Sequence, residues 1–244
     1  MHCRLCNREA ELRNSHIVPE FLYKPMYDDK HRFLLISSDP NRREEFIQKG
    51  LREKLLCHQC EQRFSVWENY GRGVIYGGAM LRTKQEPGCL RLKDVDYAKF
   101  RLFLHSLLWR MSVSEHHFFA AVNLGPYEEK LRLMLMADDP GDECRFPCLI
   151  NGVLMNGQAG NWFLPADRVK CFGLHSYRVV LGGMLFIFFV SSQKPPKEAM
   201  DLFLKRDTSF AIPVRDIRDI PFLADIGFEL SQAMQARPIC LRRR

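Results

Sequence analysis

Residues 55–61 read Leu-Leu-Cys-His-Gln-Cys-Glu and residues 1–7 read Met-His-Cys-Arg-Leu-Cys-Asn, so Cys57 and Cys60 form one Cys-x-x-Cys pair and Cys3 and Cys6 another. Two residues between thiols let a tight turn aim both sulfurs at one ion, and two such turns complete the tetrahedron that zinc prefers. Cys89, Cys144, Cys148, Cys171 and Cys240 share no spacing, and an odd total of nine argues against a disulfide framework. Neither pair has the βαβ context of a redox motif. The four paired cysteines are therefore read as ligands of one structural zinc, with His2 and His58 beside them as bystanders. A segment this short cannot bury enough apolar surface alone and takes folding energy from the metal.

Outward from the cysteines, "ELRNSHIVPEFLY" at residues 11–23 reads as a strand over 11–18 that Pro19 ends. Its alternation sets Leu12, Asn14, His16 and Val18 on one face. After the second pair, "EQRFSVWENYG" carries Phe64 and Trp67 at helical spacing, with Gly71 or Gly73 as the stop. The order is a cysteine knuckle, a strand bearing a histidine, and a helix that begins at the second cysteine pair.

That layout, with "SHIVP" placing His16 ten residues after Cys6 and "LLCHQCE" at the helix start, resembles the HNH endonuclease group over residues 1 to about 70. The resemblance implies a treble-clef, ββα-metal module with Cys3, Cys6, Cys57 and Cys60 on structural zinc. It also implies His16 as general base, a catalytic magnesium or manganese ion, and DNA as the substrate, in a restriction or antiphage-defence setting. Three positions depart from the pattern: Ser15 stands where the family has a metal-binding Asp, Glu61 where it has Asn, and Arg52 near the Asn that orients the histidine. Glu61 is a candidate oxygen ligand for magnesium or manganese, and Asn14 or Ser15 for a neutral oxygen or bridging water. An acid at Glu61 equally suits a helix N-terminus through the dipole, and His16 has the alternative of a structural histidine in a small core. The long separation from Cys6 to Cys57 implies a loop inserted around residues 21–50, in which Lys30, His31, Arg32, Arg42 and Arg43 suit a nucleic-acid backbone. Glu68 reads as a solvated charge. His31, His105, His116, His117 and His175 have no partner at motif spacing and read as structural or surface residues.

Pro87 and Gly88 mark a linker over residues 87–95, dividing a module of residues 1–86 from a larger mixed α+β domain of residues 96–244. In residues 96–114, Tyr97, Phe100, Leu104, Leu107, Leu108 and Met111 follow helical spacing, with Leu102, Phe103 and Trp109 between them, which predicts a central buried helix. A second helix is expected in residues 125–142 and a last one over 221–235. Strands are expected in 147–156 and on both sides of Gly182-Gly183, a two-residue hairpin signal. The domain has no phosphate loop and no nucleophile elbow. Its expected part is to select the target, to hold a protein partner or to restrain activity.

Thirty-six basic against 29 acidic side chains give +7, which permits nucleic-acid binding without requiring it. Arg242, Arg243 and Arg244 read as a solvated tail. The longest apolar run, residues 181–190, contains two glycines and is too short to span a bilayer, and the N-terminus lacks the apolar core of a secretory signal, so a cytoplasmic protein is expected. The functional expectation is a metal-dependent DNA nuclease. The alternative is a non-catalytic zinc module that binds nucleic acid or a protein.

Overall fold

The structure, a computed structural model, describes residues 1–35, 45–160 and 162–236. After the first cysteine pair, β1 (Leu12–His16) leads into the short helix α1 (Glu20–Tyr23) and then into a hairpin of β2 (Arg32–Leu35) and β3 (Glu45–Gln48). The chain returns along β4 (Arg52–Cys57) and enters α2 (His58–Tyr76). β4 lies antiparallel to β1, with Leu12 opposite Cys57 and His16 opposite Arg52. The pairing slips between Arg13 and Asn14. The pairing skips Leu55 of β4, and opposite this bulge the alternation of β1 breaks, so that Arg13 and Asn14 both face solvent. Ser15 is buried in place of Asn14, which is exposed, and Ile17 and Val18 are both buried.

α2 continues through Gly71 and Gly73, which do not stop it, and ends at Gly77 with φ 87°. Gly71 has a packing reason to lack a side chain: a Cβ there would lie 2.6–2.8 Å from the ring of Phe103 on the crossing helix. Gly71→Ala gains about 1 kcal/mol of helix propensity, but forcing the ring aside costs about 1–3 kcal/mol. The expected outcome is a lower urea midpoint than wild type. A midpoint at or above wild type would mean that Phe103 moves freely.

The expected linker is instead part of a sheet. β5 (Arg82–Glu86) and β6 (Cys89–Lys93) form a hairpin whose turn holds Pro87 and Gly88, the latter at φ 68°. α3 (Tyr97–Val113) follows, capped by the Asp96 carboxylate, which accepts from Lys99 N at 3.0 Å. Then come α4 (Pro126–Met136), β7 (Cys148–Met155), β8 (Gln158–Ala159), β9 (Leu164–Cys171), β10 (Leu174–Leu181), β11 (Met184–Phe189), β12 (Phe210–Asp216) and α5 (Pro221–Ala236). The main sheet runs β5-β6-β12-β7-β11-β10-β9, with β8 paired to β7. Only the β12–β7 pairing among these is parallel. Gly182 and Gly183, at φ 57° and 78°, make the two-residue turn between β10 and β11. The fold is mixed α+β, as expected.

α3 is the central helix. Phe100, Phe103, Leu104, Leu107, Leu108 and Trp109 are at most 1% exposed. Phe103 packs against Gly71 of α2, while Phe100 meets Phe210 of the sheet at 5.7 Å between ring centroids. One cluster of buried side chains thus runs from Cys3 and Leu5 through Phe64 and Trp67 to Phe186 and Ile212, across the expected boundary at residues 87–95. Of the inserted-loop cations, Arg32 is engaged by Asp28 at 2.7 Å and lies over the Phe46 ring at 4.3 Å. Lys30 and His31 are exposed, and Arg42, Arg43 and Arg242 to Arg244 lie outside the described residues. No described helix is long and apolar enough to cross a membrane.

Candidate functional site

The two cysteine pairs are shaped by different local devices that converge. Around the first, Asn7 takes φ 59° and donates from its N to Cys3 O at 2.9 Å, while Cys3 N donates to Arg8 O at 3.0 Å. Around the second, Cys57 is the N-cap of α2 and Cys60 sits in its first turn. Arg4 N donates to Leu55 O at 2.9 Å and Cys57 N to Cys3 Sγ at 3.3 Å, which pins the knuckle against the helix start. The four sulfurs lie within 4.8 Å of one another, with Cys6 Sγ 3.9 Å from Cys57 Sγ. A zinc tetrahedron with Zn–S of about 2.3 Å has sulfur–sulfur edges of about 3.8 Å, so the donor set fits zinc. The crowded thiols share protons: hydrogen bonding from Cys60 holds Cys3 down to about 4, and the same contact pushes Cys60 up. A divalent cation in their midst takes the place of those protons. His2 and His58 are not in the group.

His16 lies at the opposite end of the β1–β4 strand pair from Cys57. Its Nε2 meets two groups of opposite character: Arg52 Nε donates to it at 3.1 Å, and Lys49 O lies 3.1 Å away as an acceptor. Arg52 Nε also donates to Lys49 O at 3.0 Å, which fixes the guanidinium in place. Arg52 thus sets the orientation of the histidine ring. Burial, reinforced by the Arg52 cation, holds the imidazole pKa below its ordinary 6.5 and keeps the ring neutral near pH 7.

Ser15 does not turn toward this site. Its buried hydroxyl accepts from Leu56 N at 3.2 Å and donates to Arg13 O at 3.4 Å, bridging the bulge. Its part is structural, and it is not a free oxygen ligand.

Glu68 is not a solvated charge. It pairs at 2.7 Å with Arg110, a side chain of α3 that is 2% exposed. Arg110 also donates to His16 O at 2.9 Å and from Nε to Ser106 O at 3.2 Å, and it lies over the Phe64 ring at 5.2 Å. Burial raises the Glu68 pKa against the pull of Arg110. Removing one partner of such a pair leaves the other charge buried, at a cost of about 3–5 kcal/mol. Glu68→Ala is therefore expected to lower the unfolding midpoint steeply, whereas a change under about 1 kcal/mol would show that the pair contributes little. Arg110, 94 residues from His16, had one sequence signal: a cation among apolar neighbours on a helix expected to be buried, which needs a partner there.

Glu61 has one carboxylate oxygen buried without a hydrogen-bond partner. Among the described residues, however, the four cysteines are the one group of three or more metal-ligating side chains, and neither Glu61 nor His16 belongs to it. Magnesium takes one or two carboxylates, several waters and the substrate's phosphates, so one orphaned oxygen fits its donor set without making a protein cage. The structure brings the four cysteines together, and Arg52 to His16. It does not bring Glu61 and His16 into one ligand group. Comparison with protein-family models, with curated proteins and with solved structures finds no match for this chain.

Proposed function

We propose that the chain is an HNH-type nuclease that hydrolyses phosphodiester bonds of DNA, with a zinc-held treble-clef module and His16 as general base. The observation that carries this reading is the pair of partners at His16 Nε2, a donor at 3.1 Å and an acceptor at 3.1 Å. A general base passes through two protonation states, and here each has a ready contact. The neutral ring accepts from Arg52. Once it has taken a proton from water, Nε2–H donates to Lys49 O, while Arg52 keeps its own bond to that carbonyl. Glu61 would hold magnesium or manganese through its unpartnered oxygen, and the ion when bound supplies positive charge against the phosphate. The test is DNA cleavage by wild type and His16→Ala in buffer containing magnesium or manganese.

A second reading, a zinc module that binds nucleic acid or a protein partner without cutting, is favoured by one fact. Arg52 occupies the lone pair that the base needs. That reading expects binding with no cleavage under any of the metals.

A further inference from the structure

Glu61, Ser65, Glu68, Arg72 and Tyr76 recur at intervals of three and four residues and so form one stripe along α2. The middle of the stripe is tied to the end of β1 by Arg110, which holds both Glu68 and His16 O. At the far end of the stripe a cleft of about 350 Å³ opens between α2 and the segment that follows β1, lined by Phe21, Lys24, Pro25, Arg72, Tyr76 and Gly77. Lys24 and Arg72 are exposed, and among the described residues neither has an ion-pair partner. Tyr76 is 44% exposed, and its ring makes a T-shaped contact with that of buried Phe21, with centroids 6.0 Å apart and planes at 89°. α1 links this cleft to the histidine: Glu20, whose charge His16 senses, lies one helical turn before Lys24.

We propose that this cleft is a nucleotide subsite, in which one base of a DNA strand stacks on Tyr76 while the adjoining phosphates meet Lys24 and Arg72. Two cations without ion-pair partners among the described residues, beside a half-exposed tyrosine packed on a buried ring, combine the charge and the aromatic group by which single strands are held without reading sequence. The electrostatic complement is specific to a polyanion carrying flat rings. An apolar peptide would leave both cations unused, and a free phosphate would leave the ring unused. The subsite deepens the nuclease reading and rests on it, since it places the strand along the face of α2 that Arg110 ties to His16.

The test uses the full zinc-bound chain and a short fluorescent single-stranded oligothymidylate, with binding followed by anisotropy over a salt series without added magnesium. Tyr76→Ala is expected to weaken binding about tenfold with an unchanged salt slope, and Tyr76→Phe to bind as wild type. The Lys24→Ala, Arg72→Ala double variant is expected to flatten the slope of log K against log salt by about 1.4, at about 0.7 for each lost phosphate contact. Zinc content and circular dichroism check the fold, and Tyr76→Leu replaces Tyr76→Ala if the latter fails that check. Unchanged binding in the cleft variants, or no binding of the strand by wild type, overturns the subsite. Cleavage is read in parallel on duplex DNA with His16→Ala. Binding that collapses in the cleft variants while wild type never cuts keeps the subsite and ends the nuclease reading, whereas cleavage with unchanged strand binding does the reverse.

Discussion

Cys57→Ser is expected to abolish zinc retention and to unfold far more than the first 60 residues. A structural zinc contributes an apparent 10–16 kcal/mol or so in small zinc modules near pH 7, about as much as the whole stability of an ordinary domain. Here the ligands are not at the margin of the molecule. Cys3, Cys57 and Cys60 belong to the same buried cluster as Phe64, Trp67 and the apolar face of α3, and α3 in turn packs on the sheet. Loss of the metal frees the β1–β4 strand pair and the start of α2, which exposes the side of α3 on which Phe103 meets Gly71. The measurement is thermal unfolding with and without a zinc chelator, followed by far-ultraviolet circular dichroism and by limited proteolysis. One zinc per chain and a cooperative loss of helix on chelation are expected. Unchanged melting after complete zinc removal would mean that the four sulfurs are held by packing alone.

The parts of this fold legible in the sequence are those set by local chemistry. Cysteine spacing located the four-sulfur cluster, apolar periodicity located α3, and Gly182-Gly183 located the turn between β10 and β11. The parts that escaped are set by contacts across the chain. Pro87-Gly88 has the composition of a linker, yet it is a hairpin turn because β6 finds β12 more than a hundred residues later. β12 contains Pro213, which argues against a central strand. It is tolerated where the strand changes neighbours, pairing with β6 up to Pro213 and with β7 from Val214 onward.

The candidate site divides in the same way. His16, Glu61 and the cysteines were marked by motif, but the bulge at Leu55 of β4, opposite Arg13 and Asn14, has no local signature, so which residue of β1 turned inward could not be read from alternation. Arg52 looked like a departure from a family pattern. In three dimensions it is the residue that holds the histidine. The Glu68–Arg110 pair joins two helices through residues 42 positions apart, and only burial turned a surface-looking acid into a structural one.

The second large effect concerns His16. His16→Ala is expected to reduce DNA cleavage about 10²–10⁴-fold, the range attributed to a positioned general base, while zinc content and melting stay near wild type. The acid limb of the pH–rate profile carries a second signature. A base works while neutral, and burial together with Arg52 lowers the His16 pKa below 6.5, so activity should persist at mildly acid pH and fall only beneath the lowered value. Arg52→Ala removes the cation but not the burial, and so should move that limb part of the way back toward 6.5. The same shift has a stability counterpart. As pH drops below about 6.5 the unfolded chain binds a proton that folded His16 does not, so the folded state loses stability in that window.

The most direct test of the nuclease account is a time course of plasmid cleavage by wild-type protein and His16→Ala, side by side, in magnesium and in manganese at neutral pH. The account predicts nicked and linear DNA from wild type and almost none from His16→Ala at equal zinc content. Equal cutting by the two proteins, or DNA binding by wild type with no cutting in either metal, would contradict it.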